Sequence, residues 1–320
     1  MSLSSIIEKN PEIRKEFPNL KSHLTDYSGK LLKKEDWKTP IKVASIGTSL
    51  EAGYIGTAFD YVARSVLTKK YGVPERQLVA VGGLERFPRY IEVPLYPTGD
   101  TSIDNERSKG QRLAAKNVKK IMNYLSERLD FCIDNRQKFL TGACDLDQII
   151  EDAVFLTSLE YTFRARSIHV ADYYFKETEG KTYFSQKRMI TDKKIIENVS
   201  HLLTVFLESI KNITWAQIIL NPGFSIYSAL LGGADADLIA DDCLIDIKTK
   251  NKLSYSSEDF AQLFGYAAMA SKMDYYITRV AIYFARFGVF ACFDLSNLDK
   301  DFLAHFWDIL SDKASSKRPI

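Results

Sequence analysis

Gly232-Gly233-Ala234-Asp235-Ala236-Asp237-Leu238-Ile239-Ala240-Asp241-Asp242-Cys243-Leu244-Ile245-Asp246-Ile247-Lys248-Thr249-Lys250 is the stretch from which the fold can be read. Two short runs, apolar or β-branched at alternate places, flank the acidic pair Asp241-Asp242 and spell two strands joined by a tight turn. Side chains two apart on a strand point to one side. Asp235 with Asp237, and Asp246 with Lys248, therefore project together, and hairpin pairing would bring two or three carboxylates and one ammonium into a small volume. Carboxylates a few ångströms apart repel, so one must stay protonated unless a cation joins them. Oxygen ligands with no His or Cys among them suit Mg²⁺ or Mn²⁺ rather than zinc. A lysine beside such a site can place or activate water, or neutralise charge that builds on a phosphate in a transition state. The plainer alternative is a surface hairpin whose charged residues face water.

Downstream, Ser256 or Ser257 can cap a helix with Glu258 and Asp259 in its first turn, where the positive helix end prefers acids. Gln262 and Tyr266 then stand four apart on one helical face. Asp237 followed nine residues later by Asp246-Ile247-Lys248-Thr249 resembles the signature of the PD-(D/E)xK nuclease superfamily. Leu244 to Thr249 is especially similar to the RecB-like exonuclease branch, in which a Gln-x-x-x-Tyr pair like Gln262 and Tyr266 follows the Asp-x-Lys strand. Without that spacing the helix would pass for an ordinary amphipathic one. Far upstream, Gly56-Thr57-Ala58-Phe59-Asp60 resembles the Gly-Thr-x-x-His helix that opens such cores, with Asp60 where the metal-binding histidine would be. From the residues alone, Asp60 reads equally well as a surface acid paired with Arg64 at i+4.

The resemblance covers about residues 56–70 and 215–295. It implies an α/β protein with a restriction-endonuclease-like core, a mixed sheet flanked by helices, and a large helical insertion. The expected division is an N-terminal helical appendage over 1–55, a nuclease-like core from 56–72 and 213–320, and a mainly helical insertion over 73–212. The metal, Mg²⁺ or Mn²⁺, would be held by Asp237, Asp246 and the Ile247 carbonyl, with Asp60 and Asp235 as further candidates. Lys248 would act on water or phosphate, and Gln262 and Tyr266 would organise the site or touch a nucleic-acid backbone.

Composition narrows the class. With 43 Lys and Arg against 41 Asp and Glu, net charge +2, no overall basic field announces a nucleic-acid partner, so any DNA-binding charge must be local. A hydrophobic content of 46% over 320 residues is ample for a sizeable core. No apolar run approaches the ~20 residues of a membrane helix and no signal-peptide core is visible, from which a cytoplasmic protein is expected. Cys132, Cys144, Cys243 and Cys292 are scattered without zinc or disulfide spacing. The cysteine pattern of iron–sulfur RecB-like nucleases is missing, so no such cluster is expected. The four histidines are equally dispersed.

Along the chain, Met1 to Lys42 reads as helical pieces broken by Pro11, Pro18, Gly29 and Pro40. Pro and Gly between Val73 and Thr101 predict irregular structure. Helices are expected over Lys109 to Leu129, Leu146 to Ile168, Asp192 to Ile213 and Asp299 to Leu310. Trp215 to Leu231 predicts a first strand and hairpin around Pro222-Gly223, with later strands over Tyr275 to Phe284 and Gly288 to Leu295. Arg107, Lys109, Arg112, Lys116, Lys119 and Lys120 form a basic helix face that could meet phosphates or merely water, and Glu151 and Glu160 are further acids of the same kind.

The function expected is thus metal-dependent hydrolysis of DNA phosphodiester bonds, in repair, restriction or defence, with a helicase or other nucleic-acid-processing partner possible. The rival from another class is a nuclease-fold protein whose chemistry has lapsed and which only binds nucleic acid or scaffolds. Hydrolysis of a phosphodiester other than DNA is a third expectation open to the same site.

Overall fold

The computed structural model describes residues 3–17, 20–47, 49–74, 78–91, 118–165, 174–178, 181–185, 192–273 and 275–315, with residues 101, 105, 108, 112, 115 and 116 besides. In chain order it contains α1 (Leu3–Lys9), β1 (Leu24–Thr25), α2 (Ser49–Tyr71), α3 (Val79–Ile91), α4 (Val118–Thr141), α5 (Leu146–Ala165), β2 (Tyr174–Thr178), β3 (Lys181–Ser185), α6 (Asp192–Ser209) and β4 (Ile218–Leu220). There follow α7 (Ser225–Leu230), β5 (Leu238–Ala240), β6 (Cys243–Lys248), α8 (Ser257–Ser271), β7 (Arg279–Phe284), β8 (Val289–Asp294) and α9 (Phe302–Ser315). The chain forms two compact units. One comprises Met1–Ala44, Val73–Glu75 and Thr204–Ile320, the other Ser45–Gly72 with Arg76–Leu203.

The first unit is built on a six-stranded mixed sheet in the order β1-β8-β7-β6-β5-β4. Its centre is the hairpin expected from the acidic turn: Ala240 pairs with Cys243 and Leu238 with Ile245, leaving Asp241 and Asp242 as the two loop residues. Asp241 takes a left-handed backbone, φ 53°, a conformation that Asp tolerates better than most residues because its short polar side chain can bond locally. Here the carboxylate accepts from the N–H groups of Ala216 (2.8 Å) and Gln217 (2.9 Å) and so ties the turn to the start of β4. Strand β6 then runs parallel to β7. A parallel pair needs a crossover, and α8 supplies it, covering the face on which Leu244 lies.

On that face α8 packs with α1 and α9 around Phe260, Leu263, Phe264, Phe293, Phe306 and Leu310, all buried. The end of α6 covers the opposite face, where Phe206 meets Tyr283 at 5.4 Å between ring centroids and the Tyr283 hydroxyl donates to Ser209 Oγ (3.1 Å). The unit is therefore α/β, a mixed sheet flanked by helices. Its N-terminal residues are more than an appendage: Leu3, Ile6 and Ile7 of α1 are buried in the main cluster, and β1 adds an edge strand by pairing with β8.

Two local expectations are corrected. The Trp215 to Leu231 segment forms β4 and then α7 rather than a hairpin. Pro222 lacks the N–H that a returning strand must donate, and only Gly223 makes an isolated bridge, to Asp235. Within Val73 to Thr101, residues 79–91 form α3 despite Gly82, Gly83 and Pro88. Gly83 permits a close helix crossing, since a Cβ there would lie 1.9 Å from the Leu159 carbonyl oxygen of α5. Residues 92–100 of that segment, with Arg107 and Lys109, lie outside the described residues.

The second unit is mainly helical, with an antiparallel β2–β3 hairpin. Asp152 on α5 is its fully buried hub, accepting from Arg128 (2.8 Å), Asn135 (2.8 Å) and Gln148 (3.1 Å). Helix α2 belongs here, with Tyr54 donating to the Val154 carbonyl (3.0 Å) and stacking on Tyr161. Residues 56–72, grouped with the strands on sequence, thus share a core with α5 instead. Among the described residues no helix is long and apolar enough to cross a membrane.

Truncating Ile6, fully buried on α1, to alanine is expected to cost about 2–4 kcal/mol, whereas Glu8→Ala on the exposed side should change stability by no more than about 0.5 kcal/mol. Urea unfolding of the two variants checks this; an Ile6→Ala midpoint equal to the parent's would return the N-terminus to a loosely attached segment.

Candidate functional site

Strand β6 presents Asp246 and Lys248 on the side facing α8, as their i, i+2 spacing requires. Lys248 Nζ lies 2.8 Å from Asp246 Oδ2, with 22% of the lysine side chain and 6% of the aspartate side chain exposed. The contact is ionic without hydrogen-bond alignment, which leaves Asp246 Oδ2 buried and without a hydrogen bond. Lys248 spends a well-formed bond on Gln262 Oε1 instead (2.9 Å). Burial opposes the ammonium, but the carboxylates of Asp246, Asp237 and Asp259 outweigh it and hold the Lys248 pKa above the ordinary lysine value. The amine is a cation here, a donor rather than a base.

Asp237 reaches the same strand from the other side. Strand β5 begins only at Leu238, so among the described residues no strand lies against β6 on that edge beyond Ile245. Into the gap comes Asp237, whose Oδ2 accepts the Ile247 N–H at 2.6 Å. Lys248 O turns the opposite way, to Ala285 N of the β7 side (2.9 Å). Since N–H and C=O of one strand residue point to the same edge, the Ile247 carbonyl faces the side of Asp237. Asp235, two residues earlier, is half-buried like Asp237, while Ala236 between them and Ala234 before them are buried.

Helix α8 closes the site from above. Ser256 is its N-cap, accepting from Asp259 N–H (3.3 Å), and Asp259 reciprocates by accepting from Ser256 N–H (2.7 Å). From Asp259 to Ala270 every residue except Gln262 is buried, so the helix has no solvated face over these turns. Gln262 donates through Nε2 to the Tyr266 hydroxyl (2.6 Å) while accepting from Lys248, and this pair of bonds sets the amide orientation. Burial, reinforced by the carboxylates of Asp246, Asp237 and Asp235, keeps the Tyr266 phenol far above its ordinary pKa. It is neutral and retains its own proton to donate. Phe224 stacks on its ring at 6.0 Å.

Asp237, Asp246, Ile247, Lys248, Gln262 and Tyr266 thus come together, with Asp235 near enough to act on Tyr266. Asp60 belongs to the second unit, where Arg64 holds it at 2.6 Å. Glu160 is buried in that unit beside Arg164 (2.6 Å), while Glu151, Arg112, Lys116, Lys119 and Lys120 are exposed. Among the described residues no three His, Cys, Asp or Glu side chains cluster as a metal site would require on its own. Two carboxylates, one with a buried oxygen lacking a hydrogen bond, and a backbone carbonyl nevertheless suit Mg²⁺, which takes one or two carboxylates and keeps several waters. The sequence reading did not single out the pairing of Lys250 with Asp259 or the Phe224 ring, although the Ser-x-x-Asp capping box was a legible signal for Asp259.

No protein-family model matches the chain, and neither a curated protein nor a solved structure does.

Replacing Gln262 by Ala together with Tyr266 by Phe removes polar groups and little apolar area, so stability should fall by no more than about 1–2 kcal/mol. Urea unfolding of the double variant measures it, and a much larger loss would mean that the Lys248–Gln262–Tyr266 bridge supports the fold rather than the site.

Proposed function

We propose that the chain is a Mg²⁺- or Mn²⁺-dependent nuclease that hydrolyses DNA phosphodiester bonds on a restriction-endonuclease-like core of the RecB-like kind. The observation that carries this reading is the convergence of Asp237, Asp246 and Lys248 at the edge of β6, with the Gln262–Tyr266 pair bonded to that lysine. The succession β5, β6, α8, β7 supports it as well, with β4 set before it and the short α7 standing between β4 and β5. Asp237, Asp246 and the Ile247 carbonyl would hold the metal. When bound, the ion supplies positive charge that acidifies water and polarises a phosphoryl oxygen.

The chain's own groups do the rest. Lys248 has three N–H donors, with Gln262 accepting one and Asp246 in contact with the ammonium, which leaves donor capacity for water or a non-bridging phosphate oxygen. Its raised pKa suits it to neutralising negative charge as that charge develops, not to removing a proton. Gln262 keeps the ammonium from collapsing fully onto Asp246. Tyr266, a neutral phenol, can donate to a backbone phosphate. A second reading, a nuclease fold whose chemistry has lapsed into nucleic-acid binding, draws on the missing third metal-ligating side chain among the described residues.

Incubation with end-labelled single- and double-stranded DNA, with Mg²⁺, Mn²⁺ or chelator, separates the two. Metal-dependent cleavage is expected, and an RNA and small-nucleotide panel distinguishes DNA from other phosphodiesters. Lys248→Ala should lower cleavage by a factor on the order of a hundred or more, measured below the melting temperature that the unpaired Asp246 lowers; full activity in that variant would sink the mechanism. In Mn²⁺ calorimetry Asp237→Asn and Asp246→Asn should each abolish binding, while Asp60→Asn and Asp235→Asn should not. Loss confined to Asp235→Asn would move the ligand role to that residue.

A further inference from the structure

Strand β6 ends at Lys248, and two residues on a second lysine turns toward the same helix. Lys250 Nζ pairs with Asp259 Oδ2, one helical turn before the Gln262 that receives Lys248. The two ammonium groups are thus docked on neighbouring positions of the first turns of α8, at Asp259 and Gln262. Their burial differs: the Lys250 side chain keeps 36% exposure against 22% for Lys248, while the Asp259 side chain that anchors it keeps only 9%.

Asp259 is itself fixed. Its Oδ2 also accepts from the N–H (2.7 Å) and the hydroxyl (3.1 Å) of Ser256, so the carboxylate cannot follow the lysine into solvent without breaking the helix cap. An ammonium carries three donors, and only Asp259 takes one among the described residues. A cation held by a buried anion, its side chain 36% exposed, with donor capacity left over and two residues on from the lysine at the proposed reacting centre, is preorganised for an external oxyanion. The chemistry that repeats beside a scissile phosphate is the next phosphate of the same strand.

Resting on the nuclease reading above, we infer that Lys250, positioned by Asp259, is a backbone subsite for the phosphate adjoining the one at Lys248. It would fix the register of the nucleic-acid strand without reading its bases. Asp259 acts through Lys250 and is a positioning residue.

A phosphate contact shows in the salt dependence of binding, where each contributes about 0.9 to the slope of log K against log salt for duplex and about 0.7 for single strands. Fluorescein-labelled single- and double-stranded oligodeoxynucleotides, titrated by anisotropy in chelator at several salt concentrations, give that slope for the full chain. Lys250→Gln should reduce it by about one such contact, and Lys250→Arg should restore it. Lys250→Gln also leaves Asp259 as an unpaired anion that could repel DNA on its own, so the double variant Lys250→Gln/Asp259→Asn is the deciding one. A slope still reduced by one contact in the double variant supports the subsite. A slope returning to the parental value, or one unmoved by Lys250→Gln, overturns it and leaves the nuclease reading intact. A parent chain that binds neither oligonucleotide overturns both, and melting temperatures confirm that each variant is folded.

Discussion

A carboxylate and an ammonium, Asp246 and Lys248, share the interface between β6 and α8, where almost everything else is apolar. Two charges taken from water cost several kcal/mol each, and their attraction repays this only if further bonds satisfy them. The structure around them follows from that constraint. Gln262 is the one residue from Asp259 to Ala270 that is not buried, and it stands where its amide can accept from Lys248. Tyr266 satisfies the amide's other end. Hydrophobic residues of similar size would pack there at no greater cost, and often at less, so stability alone gives little reason for this polar string.

The sheet makes the string accessible. Because β5 is only three residues long, β6 loses its antiparallel neighbour after Ile245 while still paired with β7 as far as Lys248. A half-paired strand end leaves backbone groups that must find partners. Asp237 meets one of them with its side chain, at the Ile247 N–H, and the open edge turns into a place where a carboxylate, a carbonyl and a buried anion adjoin. The shortness of β5 is matched at its other end, where the Asp241 carboxylate caps the start of β4. On the distal side of the sheet, β1 and α1 from the N-terminus extend the scaffold and bury their apolar side chains in the same core.

How much of this was legible depends on the sequence separation of the partners. The hairpin over Leu238 to Lys248 follows from alternation and a two-residue acidic turn, and the Ser256 cap with its acids follows from the capping pattern. Strand signals at Tyr275 to Phe284 and Gly288 to Leu295 correspond to β7 and β8, somewhat shorter than expected at their starts. By contrast, α3 was hidden by its glycines, which are tolerated because α5 approaches too closely for any Cβ at Gly83. The segment after β4 likewise resembled a hairpin because Pro222-Gly223 is a turn signal, and nothing local distinguishes a turn leading to a strand from one leading into α7.

Local period alone determined that Asp246 and Lys248 share a strand face and that Gln262 and Tyr266 share a helix face, since two- and four-residue spacings carry their own geometry. The candidate ligands, aspartates and a backbone carbonyl, likewise limited any ligand set to oxygen. Only the tertiary structure decided that Asp237 bonds β6, that Lys250 docks on Asp259, and that Asp60 belongs with Arg64 in the helical unit. The reason is physical. Each of those pairings depends on where neighbouring strands stop and which helix covers them, and these are properties of the chain's path rather than of its local pattern.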